Sequence, residues 1–239
     1  MQLDGARILV CGGGRRLGRA IALDLAAANA AVAVSSRQAA DDVRAELEAR
    51  GRPGVALIAD LADADQARSV VAAAADALGG LDGIVFAASG GFTPTALADI
   101  TPALMDEALG ATVHGLTFVA QAAQEVLSDG GSLVVIGDVA AFRGWPSYLP
   151  HSAAKGAQRT LVAGLARALA PRLRINLVHP GTVLPPADTS DHGLQQLAAR
   201  IPLGRIGTPA DVCAAVRYLL TADYVTGSEL VVDGGRLVE

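Results

Sequence analysis

The stretch from Ile8 to Gly18 reads ILVCGGGRRLG, an apolar run followed directly by a glycine-rich turn. The residues after the turn have helical spacing, so the stretch predicts a first strand, a tight turn and a first helix. Glycine lets the backbone approach a ligand closely, and a helix N-terminus presents free N–H groups to an anion. This context predicts a dinucleotide-binding turn. The residues of the turn that we expect at the cofactor are Gly12, Arg15, Arg16, Leu17 and Gly18.

Short apolar runs and helical stretches alternate along the rest of the chain. Seven of these runs are apolar without the alternation of a half-exposed strand, which is typical of parallel strands covered on both faces. They are Ile8–Val10, Ala31–Val34, Val55–Ile58, Ile84–Phe86, Leu133–Ile136, Ile175–Val178 and Leu230–Val232. Helices are predicted at Arg15–Ala28, Ala39–Arg50, Asp63–Leu78, Pro102–Leu127, Pro150–Ala170 and Pro209–Leu220. Since crossovers between parallel strands are right-handed, the elements predict one doubly wound α/β domain over residues 1–239, with a seven-stranded parallel sheet.

Composition limits the class of protein. The 239 residues are 51% hydrophobic and 18% charged, enough for one large core, and the net charge of −5 argues against nucleic-acid binding. Cys11 and Cys213 lie far apart in sequence, which argues against a disulfide framework or structural zinc and favours the cytoplasm. Apolar runs are too short to span a bilayer, and metal-ligating residues are not grouped, so we expect neither a membrane nor a metal site.

The ends of the second and third strands indicate the cofactor. Ser35, Ser36 and Arg37 follow the second strand, where a chain that binds NAD usually has an acidic residue for the ribose hydroxyls. Hydroxyls and a guanidinium suit a 2′-phosphate, so NADP(H) is predicted; an ordinary solvated arginine is the alternative for Arg37. Asp60 and Leu61 follow the third strand, where Asp60 would accept a hydrogen bond from adenine or cap the next helix.

Several motifs in order resemble the short-chain dehydrogenases/reductases over nearly the whole chain. Those after the first turn are Asp60, the end of the fourth strand, Pro180-Gly181, Pro202–Arg205, Thr226-Gly227 and Asp233–Gly235. Arg16 replaces the middle glycine of the first loop and Asp138 replaces the usual catalytic serine, so the chain looks most like the pteridine-reductase branch. The resemblance implies NADPH-dependent reduction of a carbonyl or imine in a homodimer or homotetramer. By position it also implies cofactor contacts from Ala87, Ala88, Ser89, Lys155, Pro180, Gly181 and Val183.

The catalytic positions depart from the family pattern. Hydride delivery to a carbonyl or imine leaves charge on the heteroatom, which needs a proton donor and a nearby cation. In the family, a tyrosine four residues before a lysine fills this role, one helical turn away. Here Lys155 is kept, His151 takes the position of the tyrosine, and Thr112 takes that of the usual asparagine.

Three hypotheses for the proton donor remain open. In the first, Asp138 orients His151, which donates the proton, by way of a water because imidazole is shorter than phenol. In the second, Tyr148 in the loop before Pro150 is the donor. In the third, the fold binds NADP(H) or a ligand but performs a non-redox reaction, such as isomerisation, cyclisation or dehydration, or binds only.

Further loop residues are expected to shape the pocket. Four aromatic residues fall in loops at the carboxyl edge of the predicted sheet and indicate a cyclic or aromatic substrate. They are Phe92, Phe142, Trp145 and Tyr148. His179 is expected to pack or to bond the backbone rather than to act in catalysis. Gly181–Gln195 is predicted as one long irregular segment, and loops of that length are often lids.

Overall fold

The protein, as a computed structural model, is described for residues 1–51, 54–186 and 188–238. In this part of the chain, seven strands form one parallel sheet, as predicted. They are β1 (Arg7–Cys11), β2 (Ala31–Ser36), β3 (Gly54–Ile58), β4 (Leu81–Phe86), β5 (Leu127–Ile136), β6 (Arg174–Pro180) and β7 (Glu229–Val232). Their order is β3-β2-β1-β4-β5-β6-β7, so the chain crosses over after β3 and continues in the opposite direction from β4. The crevice at this switch point, between the ends of β1 and β4, is where such sheets bind ligands.

Eight α-helices of the described residues cover the two faces of the sheet. They are α1 (Arg16–Ala27), α2 (Asp41–Glu48), α3 (Ala64–Leu78), α4 (Pro102–Leu109), α5 (Gly115–Val126), α6 (Leu149–Leu169), α7 (Asp191–Ala199) and α8 (Pro209–Thr221). None of these helices combines the length and the apolarity needed to cross a membrane.

The sheet separates two apolar cores. Leu9 packs in the core below α3, α5 and α6, whereas its neighbours Ile8 and Val10 pack in the core below α1, α2 and α8. Successive side chains of a strand point to opposite faces, so both faces need apolar residues. This is why the strands read as continuous apolar runs.

The predicted helix Pro102–Leu127 is wrong in detail. The structure has α4, then a π-helical turn at Gly110–His114, then α5, and Leu127 already belongs to β5. A π turn inserts one extra residue into the helical ladder. The apolar pattern continues on both sides of the insertion, so periodicity alone did not reveal it.

The predicted irregular segment Gly181–Gln195 is also wrong in part, because α7 begins at Asp191. Ser190 caps this helix by accepting the N–H of Gly193 at 3.2 Å. The cap residue and the acidic first turn were visible in the sequence, but Gly193 inside the helix masked them. Ala187, within the predicted segment, lies outside the described residues.

Candidate active site

The glycine-rich turn after β1 is tightly packed. Gly12 has φ +78°, and a Cβ there would lie 2.9 Å from the backbone nitrogen of Ala88 at the end of β4. A Cβ on Gly18 would lie only 2.1 Å from the carbonyl oxygen of Gly12. The turn therefore lets the N-terminus of α1 stand directly against the sheet crevice. This close-packed cradle fits a pyrophosphate, which binds to free N–H groups at a helix N-terminus.

Two exposed arginines follow the turn. Arg16 has φ +50°, a left-handed conformation at the position where the resemblance expects glycine. Its Nη2 donates to the carbonyl oxygen of Leu184 across the crevice. Arg15 is exposed, and Leu17 is half-buried. Arg16 thus joins the glycine-rich turn to the segment after β6.

The three residues predicted to bind the 2′-phosphate differ in their exposure at the end of β2. Ser35 is fully buried, and its carbonyl oxygen accepts the N–H groups of Gly12 and Gly13 at 2.9 and 3.0 Å. Because its side chain lies inside the core, Ser35 shapes the turn and does not present a hydroxyl at the surface, which corrects that part of the prediction. Arg37 is exposed, and Ser36 Oγ donates to the carbonyl oxygen of Gln38.

Asp60 does not cap the following helix. Asp63 has that role, with Oδ1 accepting the N–H groups of Asp65 and Gln66 at 2.9 and 3.0 Å. Asp60 instead accepts the N–H of Ala62 through Oδ1 at 3.0 Å. The cap alternative is therefore wrong. Leu61, next to it, is buried.

The remaining residues predicted at the cofactor border the same crevice. Ala87 donates its N–H to the carbonyl oxygen of Cys11 at 2.8 Å, which ties the end of β4 to the end of β1. Ala88 is half-buried and Ser89 is exposed. Beyond β6, Gly181 donates its N–H to the carbonyl oxygen of Val232 at 2.9 Å. Pro180, at the end of β6, and Val183 are buried.

Asp138 and His151 form a pair at the carboxyl edge of the sheet. Asp138 follows β5, and its Oδ1 accepts the N–H of Ala140 at 2.7 Å. Its Oδ2 lies 3.2 Å from His151 Nε2, in the first turn of α6. The side chain of His151 is 8% exposed and that of Asp138 is 24% exposed. The carboxylate thus fixes the imidazole ring by its outer nitrogen.

Lys155 lies one turn further along α6 and is buried. Its ammonium group donates to the carbonyl oxygen of Ile136 at 2.9 Å and to Oε1 of Gln158 at 3.2 Å. Burial lowers the pKa of Lys155 to about 8, and the Asp138 carboxylate opposes that shift. An ammonium has three N–H donors, so one remains for a ligand.

Sequence reasoning missed Gln158. This side chain is fully buried, and its Nε2 donates to the carbonyl oxygen of Thr112 in the π turn at 3.3 Å. Thr112 Oγ1 in turn accepts the N–H of Gly90 at 3.0 Å. A network therefore runs from Lys155 through Gln158 to the loop after β4. The available signal was a polar residue three positions after Lys155, on the face of α6 that carries the site.

His179 supports the Asp138 segment from below. Its Nδ1 lies 3.0 Å from the carbonyl oxygen of Asp138, and a Cβ on Gly137 would lie 2.6 Å from that nitrogen. Its Nε2 is 3.3 Å from Glu229 Oε2 without the alignment of a hydrogen bond. Burial lowers the pKa of His179, which keeps the ring neutral near pH 7. This contact agrees with the predicted packing and backbone-bonding role.

Three of the four predicted aromatic residues form a wall beside His151. Phe92 stacks on Tyr148 with ring centroids 4.4 Å apart and meets the His151 ring edge-on at 4.8 Å. Trp145 lies 6.2 Å from Tyr148. Phe142 does not join them, because it packs against His179 at 4.7 Å. Tyr148 precedes α6 and lies outside the helix that carries Lys155.

A small cavity lies beside His151, between the loop after β4 and the start of α6. It has a volume of about 20 Å³ and is also lined by Glu107 and Pro150. That is enough for a single water. A substrate ring does not fit in this cavity. Within the described residues, no three His, Cys, Asp or Glu side chains group as a metal site would require.

Comparison with known proteins identifies the family. A family model described as enoyl-(acyl carrier protein) reductase matches residues 14–236. A short-chain dehydrogenase from Burkholderia cenocepacia, crystallised in complex with NADP, is 36% identical with a TM-score of 0.91, over 99% of this chain and 100% of that one. The chain belongs to the short-chain dehydrogenases/reductases. It is therefore an oxidoreductase of that type.

Curated relatives of this short-chain dehydrogenase/reductase act on different substrates. The L-rhamnose 1-dehydrogenase (NAD(P)(+)) of Sphingomonas sp. is 33% identical over 250 residues, covering 99% of this chain and 98% of that protein. Versicolorin reductase 1 of Aspergillus parasiticus is 32% identical over 255 residues, covering 98% of this chain and 97% of that protein. The names of these two relatives give different substrates, L-rhamnose and versicolorin, although the two chains are about equally similar to this one.

The role of Gln158 is testable because Lys155 is the only lysine in the sequence. We expect Gln158→Glu to raise the pKa of Lys155 from about 8 by one unit or more, since an opposite charge within hydrogen-bond distance favours the ammonium. Protein labelled with ¹³C at lysine Cε gives one titrating signal. Gln121→Glu, on an exposed face of α5, is the matched control and should leave that signal unchanged. An unaltered titration in Gln158→Glu would contradict the network.

Proposed function

We propose that this short-chain dehydrogenase/reductase uses NADPH to reduce a carbonyl or imine on a small cyclic or aromatic substrate. The residues that would carry out the chemistry are Asp138, His151 and Lys155. The observation that carries the proposal is the 3.2 Å approach of His151 Nε2 to Asp138 Oδ2, one helical turn before a buried lysine at the carboxyl edge of the sheet. Because Asp138 occupies Nε2, the other ring nitrogen, Nδ1, is the candidate proton donor for a reducible group.

The residues have distinct roles in this reaction. When bound, NADPH would supply the hydride. In its protonated form, His151 keeps the Nε2 proton on the Asp138 carboxylate and gives the proton of its other ring nitrogen, Nδ1, by way of a water to the oxygen or nitrogen of the substrate as its carbon accepts the hydride. The products are the alcohol or amine and a neutral imidazole, which takes a proton back from solvent. Lys155 keeps one N–H for the ribose of the cofactor, and its positive charge favours proton release toward the substrate.

The residues of the crevice fit NADP(H). The glycine turn gives close backbone approach at Gly12 and Gly18, and Arg37 is free to contact a 2′-phosphate. Because Lys155 loses its charge above a pKa of about 8, we expect NADPH affinity to fall as the pH rises through that value. The pteridine-reductase-like character, which rests on Arg16 and Asp138, makes pterins part of the substrate panel. A homodimer or homotetramer stays a prediction, which light scattering coupled to gel filtration would test.

Arg37 tests the choice of cofactor. We expect Arg37→Ala to weaken NADPH binding by about 10- to 100-fold, the loss of one or two charge-assisted hydrogen bonds, and to leave NADH binding unchanged. Both affinities are measured by calorimetry. Arg44→Ala, on the neighbouring helix α2, is the control, because Arg44 pairs with Asp41 and Glu48. An equal loss for NADH and NADPH would refute a 2′-phosphate contact.

The second candidate function is a non-redox reaction or ligand binding alone on the same fold. The observation in its favour is that the His151 side chain is buried, with Phe92 packed edge-on against it at 4.8 Å and a neighbouring cavity of only about 20 Å³. NADPH consumption with a panel of ketones, imines and pterins separates the two. If the parent consumes no NADPH and His151→Tyr does, the second function stands and the first fails.

A further inference from the structure

The chain after β7 turns back toward the site and carries Arg236. Asp233 fixes this turn: its Oδ1 accepts the N–H of Gly235 and its Oδ2 accepts the N–H of Leu237, both at 2.8 Å. Gly234 and Gly235 have φ values of +67° and +92°, which other residues rarely adopt. The position of Arg236 is thus set by the backbone around it.

Arg236 joins the two loops that border the mouth of the site. Its Nη1 donates to Thr182 Oγ1, directly after the Pro180-Gly181 turn. Its guanidinium carbon lies 5.4 Å from the centroid of the Trp145 ring, in the loop between β5 and α6. One half-buried cation therefore stands between the segment after β6 and the aromatic wall.

Arg236 has no acidic partner among residues 1–51, 54–186 and 188–238. Some other arginines of the described chain do form ion pairs: Arg7 pairs with Asp82 at 2.7 Å and Arg205 with Asp211 at 2.8 Å. A cation–π contact is worth only about 0.5–1 kcal/mol at an exposed site. Arg236 Nη1 donates to a neutral hydroxyl, and the other N–H groups of the guanidinium remain available to a carboxylate.

Asp233, three residues before Arg236, forms no ion pair with it in the described part of the chain. Both of its oxygens instead accept backbone N–H groups of their own turn. Asp233 keeps its negative charge, but its oxygens are directed at the turn, so the guanidinium retains donors for another acceptor.

The aromatic wall links Arg236 to His151. Trp145, next to Arg236, leads through Tyr148 and Phe92 to the imidazole, with centroid separations of 6.2, 4.4 and 4.8 Å. A cyclic substrate beside these rings would have the imidazole toward one end and the guanidinium toward the other. The rings themselves do not share one plane, since successive pairs are inclined by 74°, 15° and 79°. Arg236 is therefore the group that distinguishes what the far end of the substrate carries.

We propose that Arg236 is the specificity residue for a carboxylate on the side of the substrate ring opposite the reducible carbonyl or imine. The statement that the opposite end of the substrate is a reducible carbonyl or imine rests on the proposed function. The recognition of the carboxylate by Arg236 does not. The substrate class is thus an aromatic or cyclic keto acid, or the corresponding imino acid, and no neutral analogue of equal shape should bind as well.

The test uses Trp145, the only tryptophan in the chain, whose fluorescence reports binding without turnover. The probes are 4-acetylbenzoate and its neutral partner 4-acetylbenzamide, titrated in the presence of saturating NADP⁺. We expect the carboxylate to bind at least tenfold more tightly. Arg236→Gln should abolish this difference while leaving the amide unchanged, and Arg236→Lys should keep part of it. Arg167→Gln, an equal loss of charge at the exposed far end of α6, should keep all of it.

Three results would overturn the inference: equal affinity of the parent for the two probes, no binding of either, or equal weakening of both by Arg236→Gln. Equal weakening of both probes would show that Arg236 only holds the two loops together and does not recognise the carboxylate. NADPH consumption with 4-acetylbenzoate is measured separately. If the carboxylate preference holds and no NADPH is consumed, the reductase proposal fails while the role of Arg236 stands. If NADPH is consumed but the carboxylate binds no more tightly than the amide, the role of Arg236 fails while the reductase proposal stands.

Discussion

His151→Ala is expected to lower the turnover number for NADPH-dependent reduction by about 10²- to 10⁴-fold, the usual worth of a general acid. The affinity for NADPH should stay within about twofold, because the imidazole bonds Asp138 and contacts Phe92 rather than the glycine turn. Steady-state turnover and calorimetric binding of NADPH are the two measurements. A large loss of turnover with binding intact assigns the proton to His151.

Two variants control this experiment. Tyr148→Phe removes the other candidate donor and should keep turnover, since the Tyr148 ring is stacked on Phe92 outside α6. His192→Ala removes an exposed histidine that bonds only Gln196 among the described residues. If Tyr148→Phe abolishes turnover and His151→Ala does not, the tyrosine is the donor and the assignment of His151 is wrong.

Lys155→Met is expected to remove a pH-dependent penalty on the stability of the fold and to weaken NADPH binding at the same time. The buried ammonium has a pKa of about 8, below its ordinary value of 10.5, so a charge is held in the core at neutral pH. The shift corresponds to about 3 kcal/mol of unfavourable free energy. Ile136 and Gln158 also lose their donor, and each loss costs about 1–3 kcal/mol, so the two effects are of similar size at pH 7.

The pH dependence isolates the charge from the lost hydrogen bonds. Between pH 8 and 10.5 the unfolded chain binds the lysine proton and the native chain does not, so the free energy of unfolding of the parent rises with pH. The rise is up to about 1.4 kcal/mol per pH unit. The penalty is full below pH 8 and disappears as the pH approaches 10.5. Urea unfolding of the parent and of Lys155→Met from pH 7 to 10 should show their difference changing by about 3 kcal/mol, and a constant difference would show that Lys155 is not desolvated.

The fold was predictable because its signals are local and repeated. Residues such as Ile8, Leu9 and Val10 serve opposite cores, and this requirement leaves a continuous apolar run in the sequence. The π turn at Gly110–His114 left no such trace, since it depends on one extra residue in a helix that remains apolar on both sides. The start of α7 was missed because a capping serine is a weaker signal than a glycine inside the helix.

The proximity of Asp138, His151 and Lys155 was predictable from the sequence, and the geometry of their contacts was not. The one-turn spacing of His151 and Lys155 placed them together, and Asp138 followed from the end of β5. Which nitrogen of His151 meets the carboxylate depends on side-chain torsion angles, which no sequence pattern reports. The contacts of Gln158 with Thr112 and of Arg236 with Trp145 join residues 46 and 91 positions apart, so only the folded chain shows them.

Phe92 has a consequence for the kinetics of binding. Phe92 is 53% exposed although its ring contacts both Tyr148 and His151. A ligand that takes the place of this ring against His151 can bind only after the ring has moved. Association then has two steps, and the observed rate should reach a plateau at high ligand concentration instead of rising linearly. The plateau measures how often Phe92 opens, and Phe92→Ala should remove it.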